Sequence, residues 1–102
     1  MNSERFLSLE ERLKRKHDEI LRLAAKHGAK NVRVFGSVVR GEAHPGSDVD
    51  FLVEFEPRVS LLDHVAFKQD LEDLLGCPVD VVSQKALHPS LRDKVWREAV
   101  PL

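Results

Sequence analysis

The stretch DVDFLVEF, residues 48–55, limits the possible folds of this chain more than any other. Val49, Phe51, Val53 and Phe55 alternate with Asp48, Asp50, Leu52 and Glu54. A strand imposes that period of two when one of its faces is buried and the other is not. The apolar row therefore demands a core on one side of a sheet. Asp48 and Asp50, two residues apart, share the opposite side.

The remaining elements arrange themselves around this strand. Ser8 with Glu11 reads as a capping box opening a helix whose apolar stripe runs through Leu9, Leu13, Ile20 and Ala24 to a stop at Gly28. VRVF, residues 32–35, is a short strand halted by Gly36, followed by a helical segment SVVR and a Gly/Pro-rich loop over residues 41–47. Ser60 and Asp63 open another helix that ends at Gly76. PVDVVS, residues 78–83, is a third strand, and Pro89 starts a last helix through Trp96. The expected order is α-β-(short α)-β-α-β-α, an α+β fold of two layers with helices on one face of a small sheet. A single domain is expected, with an N-terminal helix over about 8–27, a core over about 31–83 and a C-terminal helix over about 89–99.

Composition narrows the function classes. The 16 Lys and Arg against 17 Asp and Glu leave a net charge of −1 with no basic block, so strong direct nucleic-acid binding is not expected. Cys77 is alone, which rules out an internal disulfide and suits a reducing, cytoplasmic setting. No stretch approaches the ~20 apolar residues of a membrane span. The five histidines, His17, His27, His44, His64 and His88, lack metal-ligand spacing.

The acids carry the chemistry. Asp80 sits between Val79 and Val81, again opposite an apolar row, so it converges on Asp48 and Asp50 if the second and third strands are neighbours. Two like charges ~4 Å apart repel by roughly 4 kcal/mol at an effective dielectric of about 20. A hard divalent cation relieves that repulsion, and an all-carboxylate site favours Mg²⁺ or Mn²⁺ over zinc. Gly36 and Ser37 stand where a strand gives way to a short helix, a place where a phosphate can approach the backbone.

Gly36, Ser37, ten intervening residues, then Asp48-Val49-Asp50, with Asp80 on a later strand, resemble the nucleotidyltransferase signature of the DNA polymerase beta superfamily. The longer run GSVVRG…SDVDFLVEF with PVDVVS and REAVPL is similar to the minimal nucleotidyltransferases, a subgroup that includes antitoxins paired with HEPN-domain ribonuclease toxins. The resemblance spans roughly residues 18–101 and implies a mixed three-stranded sheet. It also implies two Mg²⁺ ions held by Asp48, Asp50 and Asp80, a catalytic role for those three, and nucleotide binding by Gly36, Ser37 and Arg40. Its implied activity is transfer of AMP from ATP to a hydroxyl, that of a tyrosine, on a HEPN toxin. Where many relatives carry a basic residue just after the Gly-Ser step, this chain has Val38.

Two other readings stand beside it: a non-catalytic antitoxin that neutralises its partner by covering it, and transfer to a small molecule or an RNA end. The chain contains no tyrosine, which excludes tyrosine self-modification. Leu61, Leu62, Phe67 and the VWREAVPL tail are candidate docking residues for a partner.

Overall fold

A computed structural model describes residues 9–42 and 48–102. Ser8 of the expected capping box, and His44 with most of the expected loop, lie outside those residues.

The N-terminal helix is broken in two, α1 (Leu9–Arg15) and α2 (His17–Lys26). The break is a kink at Lys16, because Lys16 N still donates to Arg12 O at 2.9 Å and Ile20 N to Lys16 O at 2.8 Å. Leu13 and Ile20 therefore remain on one buried side. Strand β1 (Ala29–Phe35) begins earlier than the alternation predicts. Its register against β2 (Val49–Phe55) shifts between Lys30 and Arg33. Asn31, with φ of 52°, occupies the irregularity and its side-chain amide donates to Glu54. One extra residue resets the period of two, which is how Ala29 and Val32 both come to be buried.

After β1 come the single turn α3 (Ser37–Arg40), then β2, α4 (Leu61–Leu75), β3 (Val79–Ser83), α5 (Pro89–Glu98) and β4 (Val100–Pro101). Helix α4 opens on the Ser60/Asp63 capping box and ends on Gly76 in the left-handed conformation, as its sequence predicts. A helical crossover of this kind is what a parallel strand pair requires, and β2 and β3 are parallel.

The sheet has four strands in the order β3-β2-β1-β4, where three are expected. The additional one is the two-residue β4, which pairs antiparallel with β1 at Val34↔Val100 and Arg33↔Pro101. So short a strand, ending on a proline, carries no period for a sequence to display.

The core lies on the sheet face that carries Val34, Val49, Phe51, Val53 and Val81, under Ile20 of α2 and Phe67 and Leu71 of α4. Phe67 is fully buried, so it is a core residue and leaves the set of docking candidates. Leu61 and Leu62 are 77% and 80% exposed. Helices α1, α2 and α4 take the expected face, whereas α5 lies on the other. Its Trp96 ring sits 4.2 Å from the guanidinium of Arg33, whose side chain alternates away from buried Val32 and Val34. Leu52, on that second face, is also buried. Among the described residues no helix is long and apolar enough to cross a membrane.

Candidate active site

The parallel register of β2 and β3 sets Asp50 directly opposite Asp80, and the antiparallel register of β1 sets Phe35 on the other side of Asp50. One row of the second sheet face thus reads Phe35, Asp50, Asp80. The next row, Arg33, Leu52, Val82, is largely apolar. Asp48 stands one residue ahead of β2 and is exposed. The acids therefore gather where β2 and β3 begin.

Asp50 is half-buried, and its carboxyl titrates above the ordinary range for aspartate. Burial is the largest cause, followed by the negative charges of Asp80 and Asp48, with Arg40 opposing them. The charges of Asp48 and Asp80 thus both act on Asp50. Among the described residues no three His, Cys, Asp or Glu side chains are grouped so as to hold a metal ion. Like charges side by side do not close up unaided.

Gly36 explains why a glycine follows β1. Its φ of 82° and ψ of −153° lie in a region essentially reserved for glycine. A Cβ at this position would also overlap the Asp50 carboxylate. The Gly-Ser step is therefore held in van der Waals contact with the acid row. The carbonyl of Gly36 accepts from Val39 N at 3.1 Å and Arg40 N at 3.2 Å, which folds α3 back on itself and sets Arg40 one turn beyond Ser37.

Arg40 is engaged on two sides. Its Nε donates to Glu42 at 3.0 Å, and its Nη1 donates to Glu98 at the end of α5. Glu42 is a neighbour the sequence offers. Glu98, 58 residues further on, is not, and no local signal could have found it. The charges of Arg40 and Glu98 both reach Asp50, so this ion pair borders the acid row.

Two histidines, His27 and His64, serve the scaffold. His27 Nε2 meets Asp70 at 2.7 Å, tying α2 to α4, and His64 Nε2 lies 3.0 Å from the Val81 carbonyl. The Cys77 thiol is pushed upward, chiefly by burial, and is a poor nucleophile.

Comparison with known proteins adds to this geometry. The family model for the nucleotidyltransferase domain matches residues 9–102. Protein adenylyltransferase MntA of Thermococcus cleftensis is 45% identical over 78 residues, covering 76% of this chain and 79% of that protein. A solved structure provisionally assigned as a minimal nucleotidyltransferase is 53% identical, with a TM-score of 0.85, covering 94% of this chain and 97% of that one. The complex of tri-AMPylated Shewanella oneidensis HEPN toxin with its MNT antitoxin contains the same fold. There the TM-score is 0.66 at 18% identity, covering 86% of this chain and 69% of that one.

Proposed function

The chain belongs to the nucleotidyltransferase domain family, and on that premise we propose that it transfers AMP from ATP to a hydroxyl group of a HEPN ribonuclease toxin, silencing it as an antitoxin. The observation that carries this reading is the row of Asp50 opposite Asp80 with Gly36 packed against it. A T. cleftensis relative named as a protein adenylyltransferase and a fold neighbour solved with an AMPylated toxin support the acceptor class.

The donor set fits Mg²⁺. Asp48, Asp50 and Asp80 offer only hard oxygen ligands, and the negative charges of Asp80 and Asp48, which add to burial in raising Asp50, are what a divalent cation offsets. When bound, the metal supplies neutralisation of phosphate charge and activation of the attacking oxygen. The residues of the chain do the rest. Gly36, whose missing side chain makes room for the Asp50 carboxylate, sets the turn beside the acid row, and Ser37 offers the terminal phosphates a hydroxyl. The acceptor oxygen forms a bond to the α-phosphorus as the bond to the β-phosphate's bridging oxygen breaks, releasing diphosphate. A carboxylate oxygen of Asp80, exposed at the edge strand, takes the hydroxyl proton. The remaining barrier is lowered by positioning and charge.

The absence of tyrosine from the chain directs a tyrosine-specific transfer to another molecule. The test is incubation of the purified protein with a HEPN toxin encoded beside it, Mg²⁺ and ATP labelled at the α-phosphate. Label on the toxin, lost with Asp50→Asn, is expected. An unlabelled toxin that is nevertheless inhibited would replace transfer with simple covering.

A further inference from the structure

Helix α5 is an unusual wall for a site of this kind. None of its ten residues is buried, and an isolated helix of that length is marginal in water. Trp96 against Arg33 and Glu98 to Arg40 tie it to the sheet's second face and to α3. Its exposed side is polar at helical spacing: Ser90, Asp93, Lys94 and Arg97 recur at intervals of three, one and three. Together with Arg40 and Glu98 they line a cleft of about 850 Å³.

The α5 side of this cleft carries two cations against one acid. Arg40 is matched by Glu42 and Glu98. Lys94 and Arg97 face only Asp93 there, and no ion pair joins them to an acid among the described residues. Two cations one turn apart, against the single acid Asp93, therefore border this open cleft. It includes the Arg40–Glu98 pair, and Arg40 ends the turn that begins after Gly36, which packs against Asp50. An anion with several charged oxygens, lying next to the acid row, is the ligand this arrangement suits.

We propose that Lys94 and Arg97 of α5, beside Arg40, bind the polyphosphate of the nucleotide and then the diphosphate product. The proposal rests on the nucleotidyltransferase reading above and adds to it the side chains of α5, next to α3. Glu98 is a positioning residue in this scheme, because it fixes α5 against α3 and keeps Arg40 turned to the cleft. A protein acceptor laid along α5 is the competing occupant. It is less well matched, since a peptide carboxylate would engage only one of the two cations.

Calorimetric titration of the wild type and of a Lys94→Ala/Arg97→Ala variant with ATP, inorganic diphosphate and AMP, each with Mg²⁺, tests this. The variant is expected to bind ATP and diphosphate at least about tenfold more weakly, as for the loss of charge-assisted contacts. AMP, which lacks the diphosphate, should change by no more than about twofold, the scale of an ordinary surface substitution. Lys94→Arg should restore most of the loss. Unchanged ATP and diphosphate affinity with a raised KM for the protein acceptor would overturn the proposal and give the cleft to the acceptor. Equal weakening of all three ligands would also overturn it, by tracing the effect to the fold. Wild-type protein that binds no ATP would remove the nucleotidyltransferase reading and this proposal with it.

Discussion

On one face of β2, Val49, Phe51 and Val53 are buried beneath α2 and α4; on the other, Asp50 lies half-exposed between Phe35 and Asp80. Alternate residues of one seven-residue strand thus divide stability from chemistry. The division is local, because Leu52, two residues beyond Asp50 on the same face, is buried again. The polar site is confined to the ends where β2 and β3 begin. Charge can be tolerated there because water and the α3 turn meet the sheet, while the adjoining row keeps the second face anchored.

The comparison makes unequal demands on substitutions. Phe51→Ala should cost about 3–5 kcal/mol, the usual loss for an aromatic residue deleted from a core, read as a lower urea midpoint at unchanged slope. Asp50→Asn should do the reverse. Transfer of AMP should fall by more than about a hundredfold, since even residues that merely support metal ligands cost 10–100-fold, while the urea midpoint does not fall. A variant that lost stability and activity together would show that the two faces are not separable.

Gly36→Ala tests the contact between the turn and the acid row. Backbone in this region costs a residue with a side chain about 1–3 kcal/mol, and the added Cβ displaces the Asp50 carboxylate. Loss of activity should therefore exceed what the fraction unfolded explains, as single-turnover kinetics on folded protein would reveal.

The pH dependence of stability is a smaller effect with a definite sign. The Asp50 carboxyl is raised in the folded protein, so the native state holds that proton more tightly than the unfolded chain does. Its contribution is fully present below the unfolded pKa and is lost as pH rises through the folded pKa. Urea unfolding in metal-free buffer should show this decline as pH rises past the ordinary aspartate value, and Asp50→Asn should flatten it. Leu62→Ser, at a side chain 80% exposed on α4, should move stability by no more than about 0.5 kcal/mol.

Much of this division is legible in the sequence, because periodicity reports on burial. The alternation over 49–55, the capping box at Ser60 and the stop at Gly76 specify β2 and α4 almost to the residue. The positions of Asp48, Asp50 and Asp80 follow from the same period once β2 and β3 are neighbours. What escapes is set by contacts between distant residues. Glu98 joins Arg40 across 58 residues, β4 exists only because β1 offers an unpaired edge, and the Asn31 irregularity is defined by the register of its partner strand. The close contact of Gly36 with Asp50 is likewise invisible until β1 and β2 are aligned.

The central claim is that the carboxylates at the start of β2 and β3 act as one cation site for a nucleotide. Titration of Mn²⁺ into the protein, followed by electron paramagnetic resonance with a non-hydrolysable ATP analogue present, measures this directly. The account predicts uptake by the wild type that is lost in Asp50→Asn and sharply weakened in Asp80→Asn. Equal uptake by all three proteins would contradict it.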